Sequence, residues 1–142
     1  MLRDEVKKQK AAGERLELKV GGCRFCGQTR SVEIPKEWSD SFVDEYVTEL
    51  CDCSEASAYT WKKERKEKAE KSIDEQFGKK SKDEVEEEVQ QFMRDAVENI
   101  IENRIDSVSI GITAKVKAKI AITSKGLIKV EKVKTEKTSS EA

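Results

Sequence analysis

All four cysteines of the chain fall into two short clusters, Cys23-Arg24-Phe25-Cys26-Gly27 and Cys51-Asp52-Cys53. Two thiol pairs separated by a single intervening stretch read as two halves of one metal site. Zinc prefers a tetrahedral shell of soft donors at about 2.3 Å, and a Cys-x-x-Cys turn lets two sulfurs converge while backbone N–H groups point at them. Gly27 follows the second cysteine, where a knuckle requires the left-handed conformation. Cys51-x-Cys53 is tighter than the usual two-residue spacer and allows some distortion. Cys23, Cys26, Cys51 and Cys53 are therefore the candidate ligands of a structural Zn2+.

Other uses of four cysteines fit less well. Disulfides need an oxidising compartment, and Met1-Leu2-Arg3-Asp4-Glu5 lacks the apolar run of a secretory signal. A thioredoxin-like pair wants a βαβ context, and none is legible. Four thiolates can also hold an iron–sulfur cluster, although two knuckle-like pairs favour zinc. The chain has no histidine, so a catalytic zinc with an open position has no evident ligand set.

A chain of 142 residues, 36% hydrophobic and 40% charged, is poorly supplied for one large core, which a metal or oligomerisation would offset. The formal net charge of −1 excludes polyanion binding by bulk charge, yet the signs are unevenly distributed. No apolar run approaches the roughly 20 residues of a membrane span, and the expectation is a soluble protein of the cytoplasm.

Along the chain, residues 1–14 are expected to be an arm or frayed helix. Leu16, Leu18 and Val20 alternate with polar residues and lead into the first cysteine pair, and Ser31 to Ile34 is a return strand stopped by Pro35. Ser39 and Asp40 are candidate caps for a helix with Phe42, Val43, Tyr46, Val47 and Leu50 on its apolar face. Trp38 reads as a lid over the knuckle. Residues 54–77 form a Lys/Glu-dense helix with charge pairs four apart and a thin apolar contact from Tyr59, Trp61, Ala69, Ile73 and Phe77, the last three spaced by four, ended by Gly78 as a left-handed cap.

A module boundary is expected near residue 80. Ser81 and Glu84 look like a capping box opening an amphipathic helix, with Val85, Val89, Phe92, Met93, Ala96, Val97, Ile100, Ile101 and Ile105 apolar. Even-numbered residues from Val108 to Ile122 are then all apolar, with Gly111 as the expected interruption because a straight strand of that length is unusual. Ser124-Lys125-Gly126 signals a turn and Leu127 to Val133 a further strand. The fold class is thus α+β: a zinc-ribbon or treble-clef-like module with a long charged helix over 15–78, then an amphipathic helix with a two- or three-stranded antiparallel meander over 81–135, and a loose tail at 136–142.

Lys115, Lys117, Lys119 and Lys129 are the candidate nucleic-acid contacts, as a basic sheet face that tracks phosphates. The same residues also suit a solvated or aggregation-protected face, and stacking aromatics are absent from it. Glu86, Glu87 and Glu88 on the acidic helix are candidate contacts for a basic protein surface. The amphipathic helix is also a candidate homodimer seam.

Cys23-Arg24-Phe25-Cys26-Gly27-Gln28-Thr29, Cys51-Asp52-Cys53 ahead of a Lys/Glu helix, and Thr123-Ser124-Lys125-Gly126-Leu127-Ile128-Lys129-Val130-Glu131 together resemble a family of small four-cysteine zinc-knuckle proteins from phages and prophages of Gram-positive bacteria. The resemblance runs from Cys23 to the Ser140-Glu141-Ala142 end. It implies a bacteriophage accessory protein acting in the host cytoplasm, with the four cysteines as metal ligands and no known reaction. A non-enzymatic adaptor for nucleic acid or a DNA-metabolism protein follows. The alternatives are an inhibitor of a bacterial defence nuclease, acting through its acidic helix as a phosphate mimic, and a metal-dependent nuclease. Against the nuclease stand the missing histidine, phosphate-cradling glycine loop and nucleophile–base pair.

Overall fold

A computed structural model describes residues 1–135, and the tail expected at 136–142 lies outside them. The described residues form an α+β chain of four helices, a two-stranded hairpin and a three-stranded meander, both antiparallel. They divide into two compact units, residues 1–64 and residues 65 onward.

In the first unit, helix α1 (Leu2–Ala11) precedes a hairpin of β1 (Leu16–Gly22) and β2 (Thr29–Pro35), followed by helix α2 (Asp40–Leu50). Ser39 caps α2 as expected, its hydroxyl accepting the Phe42 N–H at 3.4 Å. Val32 and Ile34 from β2, Val43 and Val47 from α2, Val6 from α1 and Trp38 form the core. Expected as an arm or frayed helix, residues 2–11 form a helix that buries Val6. Trp38, expected as a lid over the knuckle, sits in this core, its ring 6.0 Å from those of Phe42 and Tyr46.

Strand β1 turns its less apolar face to α2. Pairing sets Glu17 opposite Ile34 and Lys19 opposite Val32, so Leu18 and Val20 point outward. The cause is Gly21: a Cβ there would lie 2.8 Å from Val43 Cγ1 and 2.9 Å from Val47 Cγ2, and only glycine admits the helix this close. Gly21→Ala is expected to cost about 1–3 kcal/mol by overpacking, read as a lower melting temperature of the metal-loaded protein.

Helix α3 (Ser54–Phe77) contains the division between units, which falls between Glu64 and Arg65 and not near residue 80. The reason is its apolar line: Ala69, Ile73 and Phe77 are buried with Val85, Met93, Val97, Ile100, Ile101, Ala118 and Ile120 in the second core. Gly78 lacks the left-handed backbone expected of it. It is needed instead for close approach, since a Cβ would lie 2.4 Å from the Asp74 carbonyl oxygen.

The Ser81–Glu84 capping box does not form. Ser81 turns its hydroxyl back to the Gln76 carbonyl and accepts the Asp83 N–H at 3.1 Å. Val85 is buried and donates its N–H to the Phe77 carbonyl, and this reversal delays helix α4 to Glu87–Ile101. Phe92, expected in the apolar stripe, is 56% exposed, and Ile105 lies beyond the helix end.

The long apolar run breaks into two strands, β3 (Ser107–Gly111) and β4 (Val116–Ile122), and β5 (Ile128–Lys134) completes the order β3-β4-β5. Between β3 and β4, Thr113 Oγ1 accepts the N–H groups of Lys115 and Val116 at 3.2 and 3.0 Å, a local turn bond that competes with strand continuation.

Candidate metal centre

The tip of the β1–β2 hairpin is the first half of the site. The Cys23 N–H donates to the Gln28 carbonyl at 2.9 Å and the Gly27 N–H to the Cys23 carbonyl at 3.0 Å, closing the turn. Gly27 has φ +74°, the left-handed conformation its position demanded. The second half joins two helices. Cys51 is the C-cap of α2, its N–H on the Val47 carbonyl at 2.9 Å. Cys53 starts α3: its carbonyl accepts the Ser57 N–H at 2.9 Å and its sulfur accepts the Ala56 N–H at 3.4 Å. One residue, Asp52, separates a helix end from a helix start, and this accounts for the short Cys-x-Cys spacing.

The four Sγ atoms lie within 4.8 Å of one another. Cys26 and Cys51 approach to 3.5 Å, Cys23 and Cys53 to 3.9 Å. A tetrahedron of sulfurs around zinc has edges of about 3.8 Å, given Zn–S distances near 2.3 Å. These separations suit one mononuclear ion. All four cysteines are free thiols, with sulfurs well beyond the disulfide distance of about 2.05 Å, and an iron–sulfur cluster would need its sulfurs spread around several metal atoms.

Crowding of the four sulfurs divides their ionisation. Burial opposes ionisation of Cys23, but the N–H groups of Cys26 and Phe25 and the neighbouring thiols of Cys26 and Cys51 outweigh it and lower its pKa to about 6. The Gln28 N–H favours the Cys26 thiolate, yet desolvation and the sulfurs of Cys51, Cys23 and Cys53 together push it up to about 12. For Cys53 the Ala56 N–H and the Cys26 thiol favour the thiolate, but desolvation and the Cys51 and Cys23 sulfurs together outweigh them and raise its pKa. Four thiolates this close repel, and a divalent ion is what lets all of them ionise together.

A polar network surrounds the knuckle. The Arg24 N–H donates to Thr48 Oγ1 at 3.0 Å, and the Arg24 guanidinium lies 2.8 Å from Glu45 and 5.3 Å from the Tyr59 ring centre. Phe25 packs on Tyr59 with ring centres 5.4 Å apart, so these two rings flank the turn. Glu45 also accepts the Tyr59 hydroxyl at 2.7 Å and Lys63 at 2.9 Å. Desolvation raises its pKa, but Tyr59 and Lys63 more than compensate and hold it low. Lys63 reaches on to Glu49 at 3.4 Å, whose fully buried carboxylate accepts the N–H groups of Leu2 and Arg3 at 3.1 and 3.2 Å. Sequence reading missed Arg24, Glu45, Glu49, Tyr59 and Lys63; only the four-residue spacing of Glu45 with Glu49, and of Tyr59 with Lys63, hinted at matching helix faces.

The other candidate residues lie elsewhere. Strand register puts Lys117, Lys119 and Lys129 on the outward face of the meander. Lys115 is in the β3–β4 turn, not on β4. Glu131 stands opposite Lys119 and ion-pairs with Lys129, interrupting the basic face. Lys132 is turned the other way, 2.8 Å from Asp83 and 5.3 Å from the Phe77 ring centre. Glu86 is the N-cap of α4; Glu87 and Glu88 are in its first turn, Glu87 paired with Arg94. Among the described residues no helix is long and apolar enough to cross a membrane. No protein family, curated protein or solved structure matches the chain.

Proposed function

We propose that the chain is a non-enzymatic binding module stabilised by a structural zinc ion, an adaptor for nucleic acid or for a protein of DNA metabolism. One observation carries this reading: four cysteine sulfurs at tetrahedral spacing would fill the shell of one ion and leave no position for substrate. When bound, the ion supplies cross-linking and charge balance. The knuckle at a hairpin tip and the second ligand pair at a helix start give the site a treble-clef-like character. Together with the resemblance noted in the sequence, this fits an accessory protein of a phage or prophage acting in the bacterial cytoplasm.

The nucleic-acid surface in this reading is the outward face of the meander, with Lys117, Lys119 and Lys129, and Lys115 in the adjoining turn. Because Glu131 neutralises part of it, the attraction is weak: about two to three phosphates, hence a log–log salt slope of about −2 to −3. Fluorescence anisotropy with single- and double-stranded DNA and RNA at low salt tests it, with Lys117→Ala or Lys119→Ala each reducing the slope by about 1. No binding to any polynucleotide at low salt ends that assignment.

A second reading is favoured by α4. Glu88, Asp95, Glu98 and Glu102 are exposed on it beside Glu86 and Glu87, a denser patch of one sign than the sheet offers. That face suits a basic protein cleft, such as the nucleic-acid groove of a defence nuclease. Charge reversal at Glu86, Glu87 and Glu88 then abolishes protection of nucleic acid against such a nuclease, and unchanged protection rejects the reading.

A further inference from the structure

The outer edge of β1 carries backbone groups that no strand of the described residues pairs. Backbone bonding along β1 alternates. The Cys23 N–H bonds across the hairpin to Gln28, while the Gly22 N–H points the opposite way, to Asp44 Oδ1 at 2.9 Å. Counting back by twos through an unbroken register from Gly22↔Thr29 to Leu16↔Pro35, Leu16, Leu18 and Val20 aim their N–H and C=O groups away from β2. Among the described residues no other strand joins this edge.

Edges of this kind are normally blunted by proline, a bulge, brevity or charged side chains; the charges on β1 are one of each sign, Glu17 and Lys19. β1 is seven residues long, LELKVGG, with no proline, and its register contains no bulge. Its outward side chains include the two most exposed large apolar residues described, Leu18 at 71% and Val20 at 67%.

We propose that two copies of the chain pair antiparallel through β1, about a two-fold axis at Leu18. In that register Leu18 faces Leu18 of the second copy and Leu16 faces Val20. These are the positions whose backbone groups point outward, so on the order of six inter-chain hydrogen bonds form. Between them Glu17 stands opposite Lys19 of the second copy, twice by symmetry. This is a closely spaced, non-hydrogen-bonded pair with Cα atoms about 4.5 Å apart, and opposite charges there attract. Charge complementarity thus selects this register: a shift of one residue forfeits the outward-pointing backbone groups, and a shift of two separates the charge pairs. The interface is isologous and closes at two. It places Leu16, Leu18 and Val20 of both copies on one face of a four-stranded sheet. The seam differs from the one the α4 stripe suggested, since Met93, Ala96, Val97, Ile100 and Ile101 are buried within the second unit itself.

Sedimentation velocity on the metal-loaded full chain over a range of concentrations tests this, with zinc content and circular dichroism confirming that every variant is folded. The native chain should double in mass as concentration rises. Leu18→Lys should remain monomeric, and Glu17→Lys should weaken the dimer at least tenfold by setting lysine against lysine. Glu17→Lys combined with Lys19→Glu should restore it. A native chain monomeric throughout, a dimer indifferent to Glu17→Lys, or a double variant no stronger than the single one would each overturn the proposal. None of these outcomes touches the zinc reading, which metal content decides separately.

Discussion

Removing the metal with a strong chelator is expected to unfold residues 1–64 while leaving the second core intact. Structural zinc binding to small cysteine sites is worth about 10–16 kcal/mol in apparent terms near neutral pH, as much as the whole stability of a typical domain. The first unit has little else to draw on, with five buried apolar side chains from three short elements, together with Trp38, forming its core. Without the ion, crowded thiols favour separation, and the hairpin tip loses its tie to the ends of α2 and α3. Trp38 is 7% exposed, so its fluorescence should shift to the red on chelation and recover on adding zinc. Single Cys→Ser changes should act in the same direction. A folded first unit with Trp38 still shielded after verified metal loss would remove the basis of the structural-zinc reading.

The second large effect is expected at Glu49. Its carboxylate is wholly enclosed, and it holds two backbone N–H groups at the start of α1 together with Lys63. A buried, charge-assisted set of this kind loses more when one member is deleted than it contributes net. Glu49→Leu strands the N–H groups of Leu2 and Arg3 and should cost about 3–5 kcal/mol, enough to lower the melting temperature of the first unit by more than about 12 °C. Glu49→Gln retains one acceptor and should cost less. Equal melting temperatures for native protein and Glu49→Leu would mean that α1 is held by its apolar contacts alone.

The parts of this fold legible in the sequence are those fixed by residue chemistry over short distances. Cysteine spacing marks the four-sulfur cluster because two closely spaced thiol pairs converge in few other ways, and Gly27 announces its own backbone. Alternation in β4 and β5 is legible for the same local reason. What escaped depends on contacts distant in sequence. Ser81 and Glu84 have the composition of a cap, yet burial of Val85 against the second core outweighs a local bond and moves the helix start to Glu87. On β1 the alternation marks a strand but not which face is buried, because that is decided by Gly21 meeting Val43 and Val47. A glycine and two lysines near residue 80 look like a unit boundary, whereas three side chains four residues apart on α3 draw that stretch into the second core. Glu49 could not be found by pattern at all: its partners are the backbone amides of Leu2 and Arg3, which any residue types would supply.

Because Cys53 both belongs to the four-sulfur cluster and begins α3, the azimuth of that helix in the first unit is counted from a sulfur atom. Tyr59 and Lys63 reach Glu45 only because they follow Cys53 at fixed offsets, and each α-helical residue advances the phase by about 100°. Drift between Cys53 and Tyr59 during evolution can therefore proceed by substitution, while insertion or deletion of a single residue would rotate the phenol and the ammonium away from their shared carboxylate.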